Sequence, residues 1–598
     1  MILSALTLEN FKGIQTPVRI ALKPITLLFG PNSAGKSSVI QALHYAREIL
    51  ERNNLDPGQT LQGGECMDLG GFDSLVHGHD RDRDIRLTFM LDVTNTDLPT
   101  YLTEGDYHML DSTEVQQFPE DVLSNINKIG LRMVISWSEA LNRPIISELA
   151  IAANGPKPIA IVRSSPDGRD VKLAWFDQTH PIFYGSSAAS HDLFPPSGEQ
   201  SDQSDIDWDQ MFRELEAGMA SDTFATDSNS GGEEESQDMF IEEIVEDEPQ
   251  NWFSELVDDA LDYKRFLVGG SIRNLPLEGQ VHALPRREGL LNLSRDIWAD
   301  PTGRYSAFPL AFQTLITSIL SAIIVGPLDL LRAELNKKLY IGPLREIPAR
   351  NHEPPRSPDE GRWASGLAAW DVIHGAEPAL LDAINEWLSG KQNLNTDYKL
   401  LSHRYRELPL DHEVSLVLEH EGLLDEEDIA SKVQRLRDQL QALPVQSKTT
   451  LMDMTSGVEV LPHDVGIGIS QVLPIVVAAI SHQGGMLAVE QPELHIHPAL
   501  QVTLGDLFAA QLADHEVLYL LETHSEHLLL RLLRRIRETT EGELPEGAPA
   551  LTPDQVAVYY FHTDAEGVEA KQLRISPEGE FLDRWPKGFF EERAEELF

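Results

Sequence analysis

A glycine-rich segment near the start of the chain carries residue types suited to binding phosphate. Gly30-Pro-Asn-Ser-Ala-Gly35-Lys36-Ser37 matches the pattern G-x-x-x-x-G-K-[ST], after an apolar run and before a helix-forming one. In this pattern backbone N–H groups face the phosphates of a nucleotide, the lysine reaches the β and γ oxygens, and the hydroxyl reaches Mg²⁺. The predicted nucleotide contacts are Gly30, Asn32, Gly35, Lys36, Ser37 and Ser38, and Ser37 is also a predicted Mg²⁺ ligand.

Carboxylates and histidines cluster in a second segment, much further along the chain. The apolar run 486–489 predicts a buried strand, and Glu490 stands at its end, where a carboxylate can hold Mg²⁺. Gln491 and Glu493 follow it, and His524 comes after the next buried strand. The same segments contain residue types that zinc or manganese prefers, which leaves a transition-metal site as an alternative. Its candidate ligands are Glu490, Glu493, His495, His497 and His524.

Three further segments contain candidate binding residues. Gly466, Gly468 and Ser470 open an apolar helix, so they supply flexible backbone, a hydroxyl and a helix N-terminus for an anionic ligand. Arg345 follows a strand-like run and is predicted to reach a phosphate or a partner carboxylate, or to form a structural ion pair. The basic amphipathic helix 527–537 either rests its apolar face on the core with its arginines in water or faces DNA.

An α/β fold is indicated by the hydrophobic pattern of the chain. The predicted strands and helices are the elements that must position the candidate residues. Residues 2–8 alternate as in a strand, 25–29 are apolar, and 37–50 follow a helical pattern, which together form a phosphate-loop unit. Between about Asp84 and Ala152 strand-like runs alternate with turns and predict an antiparallel layer. The apolar stretch 308–331 is interrupted by polar residues and by Gly-Pro, so it is interpreted as a buried helix rather than a membrane contact.

The composition is that of a globular protein with an unevenly distributed acidic charge. The chain has 598 residues and a formal net charge of −48, so nucleic acid or an anionic membrane would need a local basic patch. Much of this charge lies in residues 201–250, and 196–250 is expected to be a partly disordered acidic insertion. It is either a solvated linker or a segment that mimics DNA or binds a basic partner. A single cysteine and a start without a signal-peptide pattern lead us to expect a cytoplasmic location.

The order of these motifs resembles that of the ABC-type ATPase heads of the RecF, SMC and OLD (overcoming lysogenization defect) class. LENFKGI, GPNSAGKS, VGIGISQ and VEQPELHIHP resemble, in turn, the first strand, the P-loop, the signature loop and the Walker B motif with its D-loop. THS resembles the switch histidine. YIGPLREIP and the C-terminal WPKGFF resemble bacterial antiphage-defence ATPases. The resemblance covers roughly residues 1–90 and 336–598.

This resemblance implies an ABC-ATPase head with a P-loop α/β core, an antiparallel β layer, a helical lobe and a large acidic insertion. It divides the chain into residues 1–152, the N-terminal half of the head, 153–335, the insertion, and 336–598, the C-terminal half. It also implies that the chain binds ATP and Mg²⁺, and that two copies close on ATP.

The resemblance further implies a role for each motif residue. Ser470, with Gly466 and Gly468, would meet the γ-phosphate of ATP held by the other copy of the chain. His524 would sense the γ-phosphate in its own subunit. Glu490 and Ser37 would hold Mg²⁺, and the candidate catalytic residues are Glu490, Gln491, Glu493 and His524.

The sequence departs from this class directly after Glu490. The class ends Walker B in Asp-Glu, whereas Gln491 cannot accept a proton, so hydrolysis is expected to be slow unless Glu493 acts as the base. The resemblance thus predicts an ATPase that forms a homodimer or higher homo-oligomer and controls a separate effector nuclease in bacterial antiphage defence. DNA is a further candidate partner, and no membrane is expected. Two alternatives remain: a RecF-like factor that loads other proteins at DNA gaps, and a scaffold held together by unhydrolysed ATP.

Overall fold

The computed structural model divides the chain into two compact units. Unit 1 comprises Met1–Lys338, Val556–Arg574 and Asp583–Phe598, and unit 2 comprises Leu339–Gln555 and Ile575–Leu582. The acidic segment 196–250 lies outside the described residues, and the division at residues 152 and 335 stays a prediction. The described residues are 2–60, 62–107, 122–184, 253–254, 257, 266–268, 270–286, 289–298, 310–350, 352–355, 357, 360–407, 429–564 and 567–585.

A nine-stranded antiparallel sheet dominates unit 1. Its order is β2-β1-β4-β5-β6-β7-β8-β10-β9. The predicted antiparallel layer between Asp84 and Ala152 is confirmed by β4, β5 and β6, and the sheet continues beyond it. Its strands are β1 (Leu3–Glu9), β2 (Val18–Ala21), β4 (Ile85–Asp92), β5 (Lys128–Ser138), β6 (Arg143–Ala153), β7 (Pro158–Ser164), β8 (Val171–Asp177), β9 (Leu267–Val268) and β10 (Ser271–Leu277).

A second group of strands in unit 1 carries the glycine-rich loop. The fully buried β3 (Ile25–Phe29) pairs in parallel with β17 (Val556–Asp564), which pairs antiparallel with β18 (Gly567–Leu573). The chain leaves β3 through the loop and enters α1 (Lys36–Arg52), as the strand, loop and helix pattern predicts. Two single-turn helices follow, α2 (Phe72–Leu75) and α3 (Glu104–Tyr107).

The apolar stretch predicted as one buried helix forms two helices, α4 (Leu310–Ile324) and α5 (Gly326–Asn336). Pro327 stands in the first turn of α5, where proline is tolerated, and it cannot continue the hydrogen bonds of α4. Most of the two helices is buried, as expected. Among the helices described, none alone has the length and apolar composition to cross a membrane, although this pair, bent by 40°, meets both conditions together.

The described residues of unit 2 form a parallel sheet, a small antiparallel sheet and six α-helices. β15 pairs in parallel with β11 and with β16, and β13 pairs antiparallel with β12 and β14. The parallel strands read as continuous apolar runs because both of their faces are buried. The predicted α/β class is therefore confirmed. The elements are β11 (Leu339–Ile341), α6 (Leu367–Gly375), α7 (Pro378–Ser389), β12 (Tyr398–Tyr405), α8 (Ile429–Ala442), β13 (Gln446–Asp453), β14 (Val458–Val460), α9 (Ile467–Ser481), β15 (Gly484–Glu490), α10 (Pro498–Asp514), β16 (Glu516–Glu522) and α11 (Glu526–Glu541).

Candidate functional site

The glycine-rich loop of unit 1 joins β3 to α1 through backbone that requires glycine. Gly30 has a φ of +142°, and a Cβ there would lie 2.3 Å from the backbone oxygen of Phe561. Gly35, the N-cap of α1, has a φ of +90°, and a Cβ there would lie 3.0 Å from Cγ1 of Val568. The two glycines therefore let the loop backbone pass close to β17 and β18, which no larger residue permits.

Lys36 begins α1, and its side chain folds back over the loop. Its buried Nζ donates hydrogen bonds to the backbone oxygens of Gly30, at 3.0 Å, and Pro31, at 2.8 Å. The first turn of α1 contains no acidic residue, so no carboxylate there offsets the positive end of the helix dipole. An ammonium group beside a helix N-terminus suits the oxygens of a polyphosphate. Of the other predicted contacts in this loop, Asn32 is exposed, Ser37 is half-buried and Ser38 is buried.

The carboxyl ends of the parallel strands bring the candidate carboxylates together in unit 2. Glu490 on β15 and Glu522 on β16 are register partners at these ends. The hydroxyl of Tyr340, on β11, donates a hydrogen bond to Oε1 of Glu490 at 3.0 Å. Tyr340 is absent from the residues predicted above. Its place in the short apolar strand before Arg345 could have indicated that it lies at the same sheet edge as Glu490. Side chains from the three parallel strands thus lie at the edge that carries Glu490.

Gln491 turns the chain out of β15. Its φ is +45°, a left-handed conformation that a residue with a Cβ rarely adopts. Its backbone N–H donates to the carbonyl of Glu522 at 2.7 Å, which holds the turn against β16. The half-buried side chain ends in an amide, which does not accept a proton at neutral pH.

Arg345 lies buried between the end of β15 and the start of α9. Its NH2 donates to the backbone carbonyls of Glu490, at 2.9 Å, and Gln491, at 2.8 Å, and its NH1 donates to that of Gln471 at 3.3 Å. Burial lowers its pKa to about 10, partly offset by the negative charge of Glu493, so it stays protonated at neutral pH. Of the alternatives predicted for Arg345, the structural ion pair is corrected, because the hydrogen bonds of its NH1 and NH2 go to main-chain carbonyls instead of a carboxylate. Contact with a phosphate or with a partner carboxylate stays a prediction for this side chain, which is 4% exposed.

Glu493 connects the segment after β15 to the segment after β16. Its Oε2 accepts a hydrogen bond from Oγ1 of Thr523 at 2.7 Å, and its Oε1 accepts one from the backbone N–H of His524 at 2.6 Å. Burial raises its pKa, and these two hydrogen bonds oppose that rise. A raised pKa brings a carboxylate closer to the range useful for a general base. The same carboxylate also fixes the backbone that carries His524.

The segment after β16 is held by further local hydrogen bonds. Ser525 is the N-cap of α11, and its Oγ accepts from the N–H of Leu528 at 3.1 Å and donates to Oε1 of Gln501 at 2.7 Å. These bonds place the half-buried His524 beside Glu493. Unit 2 therefore brings the four candidate catalytic residues to one sheet edge: Glu490, Gln491, Glu493 and His524.

The transition-metal alternative gains no support from the positions of its histidines. His495 is exposed and has a φ of +60°. His497 is the N-cap of α10, and its Nδ1 accepts a hydrogen bond from the N–H of Ala499 at 3.3 Å. In the part of the chain that the structure describes, no group of three or more His, Cys, Asp or Glu side chains is arranged to hold a metal ion.

The predicted signature loop leads into α9. Gly466 is the exposed N-cap of this helix, and a Cβ on Gly468 would lie 3.1 Å from the backbone oxygen of His495. Ser470 is buried, and its hydroxyl donates to the backbone oxygen of Pro462 at 3.4 Å. The exposed positions at the start of this helix are therefore Gly466 and Ile467, and contact of Ser470 with a phosphate stays a prediction.

The arginines of α11 are mostly paired with acidic residues of the same unit. Arg535 is buried, and its Nε and NH2 donate to the carboxylate of Asp506 at 2.7 and 2.9 Å. Its NH1 donates to Glu538 at 2.6 Å, and Arg534 also pairs with Glu538. Arg531 lies 3.4 Å from Asp506. The prediction of arginines in water is thus wrong for Arg535, whereas Arg534 and Arg537 are exposed as predicted. A DNA-facing role for this helix stays a prediction.

Three family models match parts of the sequence. An AAA ATPase domain family matches residues 1–59, and a protein family of unknown function (DUF3696) matches 551–598. An AAA domain family, described as a candidate AbiEii toxin of a type IV toxin–antitoxin (TA) system, matches residues 204–531. No curated protein matches the chain.

Solved structures similar to this chain include three SMC heads, all at TM-scores below 0.5. The Smc head bound to the C-winged helix domain of ScpA has 7% identity and a TM-score of 0.35, covering 96% of this chain and 98% of the other. The SMC head domain from Thermotoga maritima has 7% identity and a TM-score of 0.32. The match covers 96% of this chain and 100% of the other. The third structure is a Smc head domain with an extended coiled coil, bound to the C-terminal domain of ScpA derived from Pyrococcus furiosus. It has 8% identity and a TM-score of 0.32, and the match covers 100% of this chain and 98% of the other.

The family is established by the extent of the sequence match. The match over residues 204–531 spans more than half of the chain and contains the signature-like loop, the Glu490 segment and His524. The separate match over residues 1–59 contains the complete glycine-rich loop. The chain belongs to the AAA domain family whose model matches residues 204–531.

Proposed function

We propose that this protein binds ATP with Mg²⁺ at the glycine-rich loop of unit 1 and hydrolyses it slowly. The observation that carries the proposal is the loop from Gly30 to Lys36, where close-packed glycine backbone, a buried ammonium and a helix N-terminus meet. This donor set fits a polyphosphate. Membership of an AAA domain family and the AAA ATPase match over residues 1–59 support the assignment.

The proposed residue roles follow the motifs. Lys36 contacts the β and γ oxygens, and Ser37 and Glu490 are the Mg²⁺ ligands; when bound, the ion neutralises phosphate charge. Gln491 orients the attacking water without taking its proton, which makes turnover slow. Glu493 is the alternative base, and the rise in its pKa on burial supports that role.

The proposed assembly and biological role go further than the chemistry of one chain. We propose that ATP joins two copies, with Gly466, Gly468 and Ser470 of one copy meeting the nucleotide of the other and His524 sensing it from within its own subunit. The dimer would control a separate effector nuclease in antiphage defence. The resemblance of YIGPLREIP and WPKGFF to such ATPases supports this role, and the description of the matching family names a toxin.

Nucleotide binding by Lys36→Ala tests the proposal. Equilibrium titration with ATP and Mg²⁺ should show saturable binding by the wild type and none by the variant, because the ammonium that contacts the phosphates is lost. Lys172→Ala is the matched control, since Lys172 lies on β8 of the same unit and pairs with a surface carboxylate, that of Asp170. Unchanged ATP affinity in a folded Lys36→Ala protein would overturn the proposal.

A second candidate function is a scaffold held together by bound ATP. The observation that favours it is Gln491, an amide at the position where the resemblance leads us to expect the catalytic carboxylate. A scaffold should dimerise with ATP and show no turnover, whereas the proposed enzyme should show slow turnover above that of Lys36→Ala. Light scattering with ATP, combined with a phosphate-release assay, separates the two.

A further inference from the structure

A group of three side chains in unit 1, two of them buried, has no part in the proposed nucleotide chemistry. Arg47 lies on α1, the helix that begins at Lys36, and its NH1 lies 3.9 Å from Sγ of Cys66. Cys66 is the only cysteine of the chain. Lys338 follows α5 and interacts electrostatically with both Arg47 and Cys66. The chain thus places its single thiol 3.9 Å from one basic side chain and within electrostatic range of a second.

Lys338 lacks the partner that a buried ammonium needs. It is 3% exposed, and within the described part of the chain its Nζ has no hydrogen-bond partner. Burial lowers its pKa to about 7; attraction to Cys66 opposes this change, and repulsion from Arg47 adds to it. A buried cation is costly unless it is paired. A thiolate on Cys66 would supply a counter-charge.

The other charged groups around these three side chains do not remove the need for that counter-charge. Glu65 lies 3.8 Å from Arg47 and 2.5 Å from Arg52, and Glu48 lies 3.9 Å from Arg52. Burial holds the pKa of His44 well below its usual range, and Lys338 and Arg47 lower it further, so this imidazole is neutral. The charged groups that shift the pKa of Lys338 are Cys66 and Arg47, and neither Glu48 nor Glu65 is among them.

We propose that Cys66 is a modification site for hydroperoxides, because Arg47 and Lys338 favour the nucleophilic thiolate form of its side chain. Cys66 is half-buried, and hydrogen peroxide is small enough to approach a side chain in that position. The thiolate attacks one peroxide oxygen, so that an S–O bond forms and the O–O bond breaks. The hydroxide that leaves takes up a proton and becomes water. The sulfur is oxidised by two electrons to a sulfenic acid, and the peroxide is reduced.

The modification removes negative charge beside the helix of the glycine-rich loop. A sulfenic acid that stays protonated is neutral, so Lys338 loses the counter-charge that the thiolate supplied. Arg47 also donates from its Nε to Oδ1 of Asn336 at 3.2 Å, which links α1 to the end of α5. The group therefore lies where α1, α5 and the loop that carries Cys66 meet.

The rate at which hydrogen peroxide consumes the thiol tests this proposal on the full chain. Remaining thiol is alkylated in denaturant and counted by intact mass, and the single cysteine makes the count unambiguous. The reference is the same protein unfolded in guanidinium. An ordinary thiol is only about 3% thiolate at pH 7, so a site that stabilises the thiolate can accelerate the reaction up to about 30-fold. We expect the folded protein to react at least about fivefold faster than the unfolded chain.

A variant pair assigns the effect to Lys338. Lys338→Met should slow the folded reaction several-fold, whereas Lys337→Met, at the exposed neighbour, should leave it unchanged. A folded rate equal to or below the unfolded rate would overturn the proposal, as would equal rates in the two variants. If Lys338→Met does not fold, the comparison of folded and unfolded wild type still decides the question.

Discussion

The guanidinium of Arg345 donates a hydrogen bond to the backbone carbonyl of Gln491, over 2.8 Å. The same side chain binds the carbonyls of Glu490 and of Gln471, the residue that follows Ser470 on α9. In return, the side-chain amide of Gln471 donates to the backbone oxygen of Arg345 at 2.6 Å. One buried arginine thus joins the end of the carboxylate strand to the helix that carries the signature-like loop.

Loss of this arginine should destabilise unit 2. Arg345→Met leaves three backbone carbonyls without their charged donor, which should cost about 3 kcal/mol and lower the thermal midpoint. Arg350→Met is the control, because Arg350 forms an exposed pair with Asp464 worth about 0–1 kcal/mol. Thermal unfolding followed by circular dichroism measures both. Equal midpoints for the two variants would refute the role given to Arg345.

The glycine-rich loop should not tolerate a side chain at Gly30. The added methyl of Gly30→Ala would lie 2.3 Å from the backbone oxygen of Phe561, so the loop or β17 must move. We expect a loss of about 3 kcal/mol and much weaker ATP binding. Gly78→Ala is the control: its φ is also positive, at +69°, but a methyl there meets nothing within 4 Å. That variant should lose only about 1 kcal/mol. Similar losses in both would contradict the steric explanation.

Glu493 should make stability depend on pH. Burial raises its pKa above the unfolded value of 4.5, so its contribution is fully present below about pH 4.5 and is lost as pH rises through the raised value. Glu493→Gln removes this dependence and keeps an acceptor for the N–H of His524. Its unfolding midpoint relative to wild type should therefore rise as the pH increases from about 4.5 through the raised pKa of Glu493. Glu541→Gln, at an exposed position, should show no such trend.

The side chain of Gln491 should limit ATP turnover. Gln491→Glu supplies a proton acceptor at the end of β15 and should raise the rate by about 10²-fold or more. Gln491→Leu, which has no acceptor, should not exceed the wild type. Phosphate release at saturating ATP gives all three rates. Fast wild-type hydrolysis that both substitutions leave unchanged would show that the base is another group.

Glu493→Gln distinguishes two ways in which the wild type could turn over slowly. If Glu493 is the base, the substitution abolishes the residual hydrolysis. If Gln491 only positions water, it changes the rate little. The hydrogen bonds of Glu493 to Thr523 and His524 make nucleotide affinity the necessary control, since a displaced His524 would change binding as well as rate.

The glycine-rich loop and the strands around it could be predicted because their signals are local. Residues 30–37 are consecutive, and the turn they form depends on glycines whose positive φ no other residue adopts easily. The antiparallel layer was predicted from alternation within each strand. The sequence also contains Gly326-Pro327, where the structure has the break between α4 and α5, although one continuous helix was predicted. Pro327 lies in the first turn of α5, a position at which proline can begin a new helix.

The roles of the arginines could not be predicted in the same way. Arg345 and Arg535 are both basic residues in amphipathic surroundings, and their sequence neighbours are compatible with phosphate contacts, surface exposure or ion pairs. Their partners are distant in sequence: Glu490 and Gln491 for Arg345, and Asp506 for Arg535. Burial of Arg345 and Arg535 decides between these roles, because a buried guanidinium needs hydrogen-bond acceptors around it.

The sequence by itself determined the P-loop, the α/β class and the residue types at the end of each parallel strand, because each depends on a few consecutive residues. Only the tertiary structure decided that Tyr340, Arg345, Glu490 and Glu493 share one edge, that Glu493 holds the backbone of His524, and that Lys338 lies buried beside Cys66. The physical reason is that strand register and burial arise from contacts between segments far apart in the chain. Hydrogen-bond partners and pKa shifts follow from those contacts and not from local sequence.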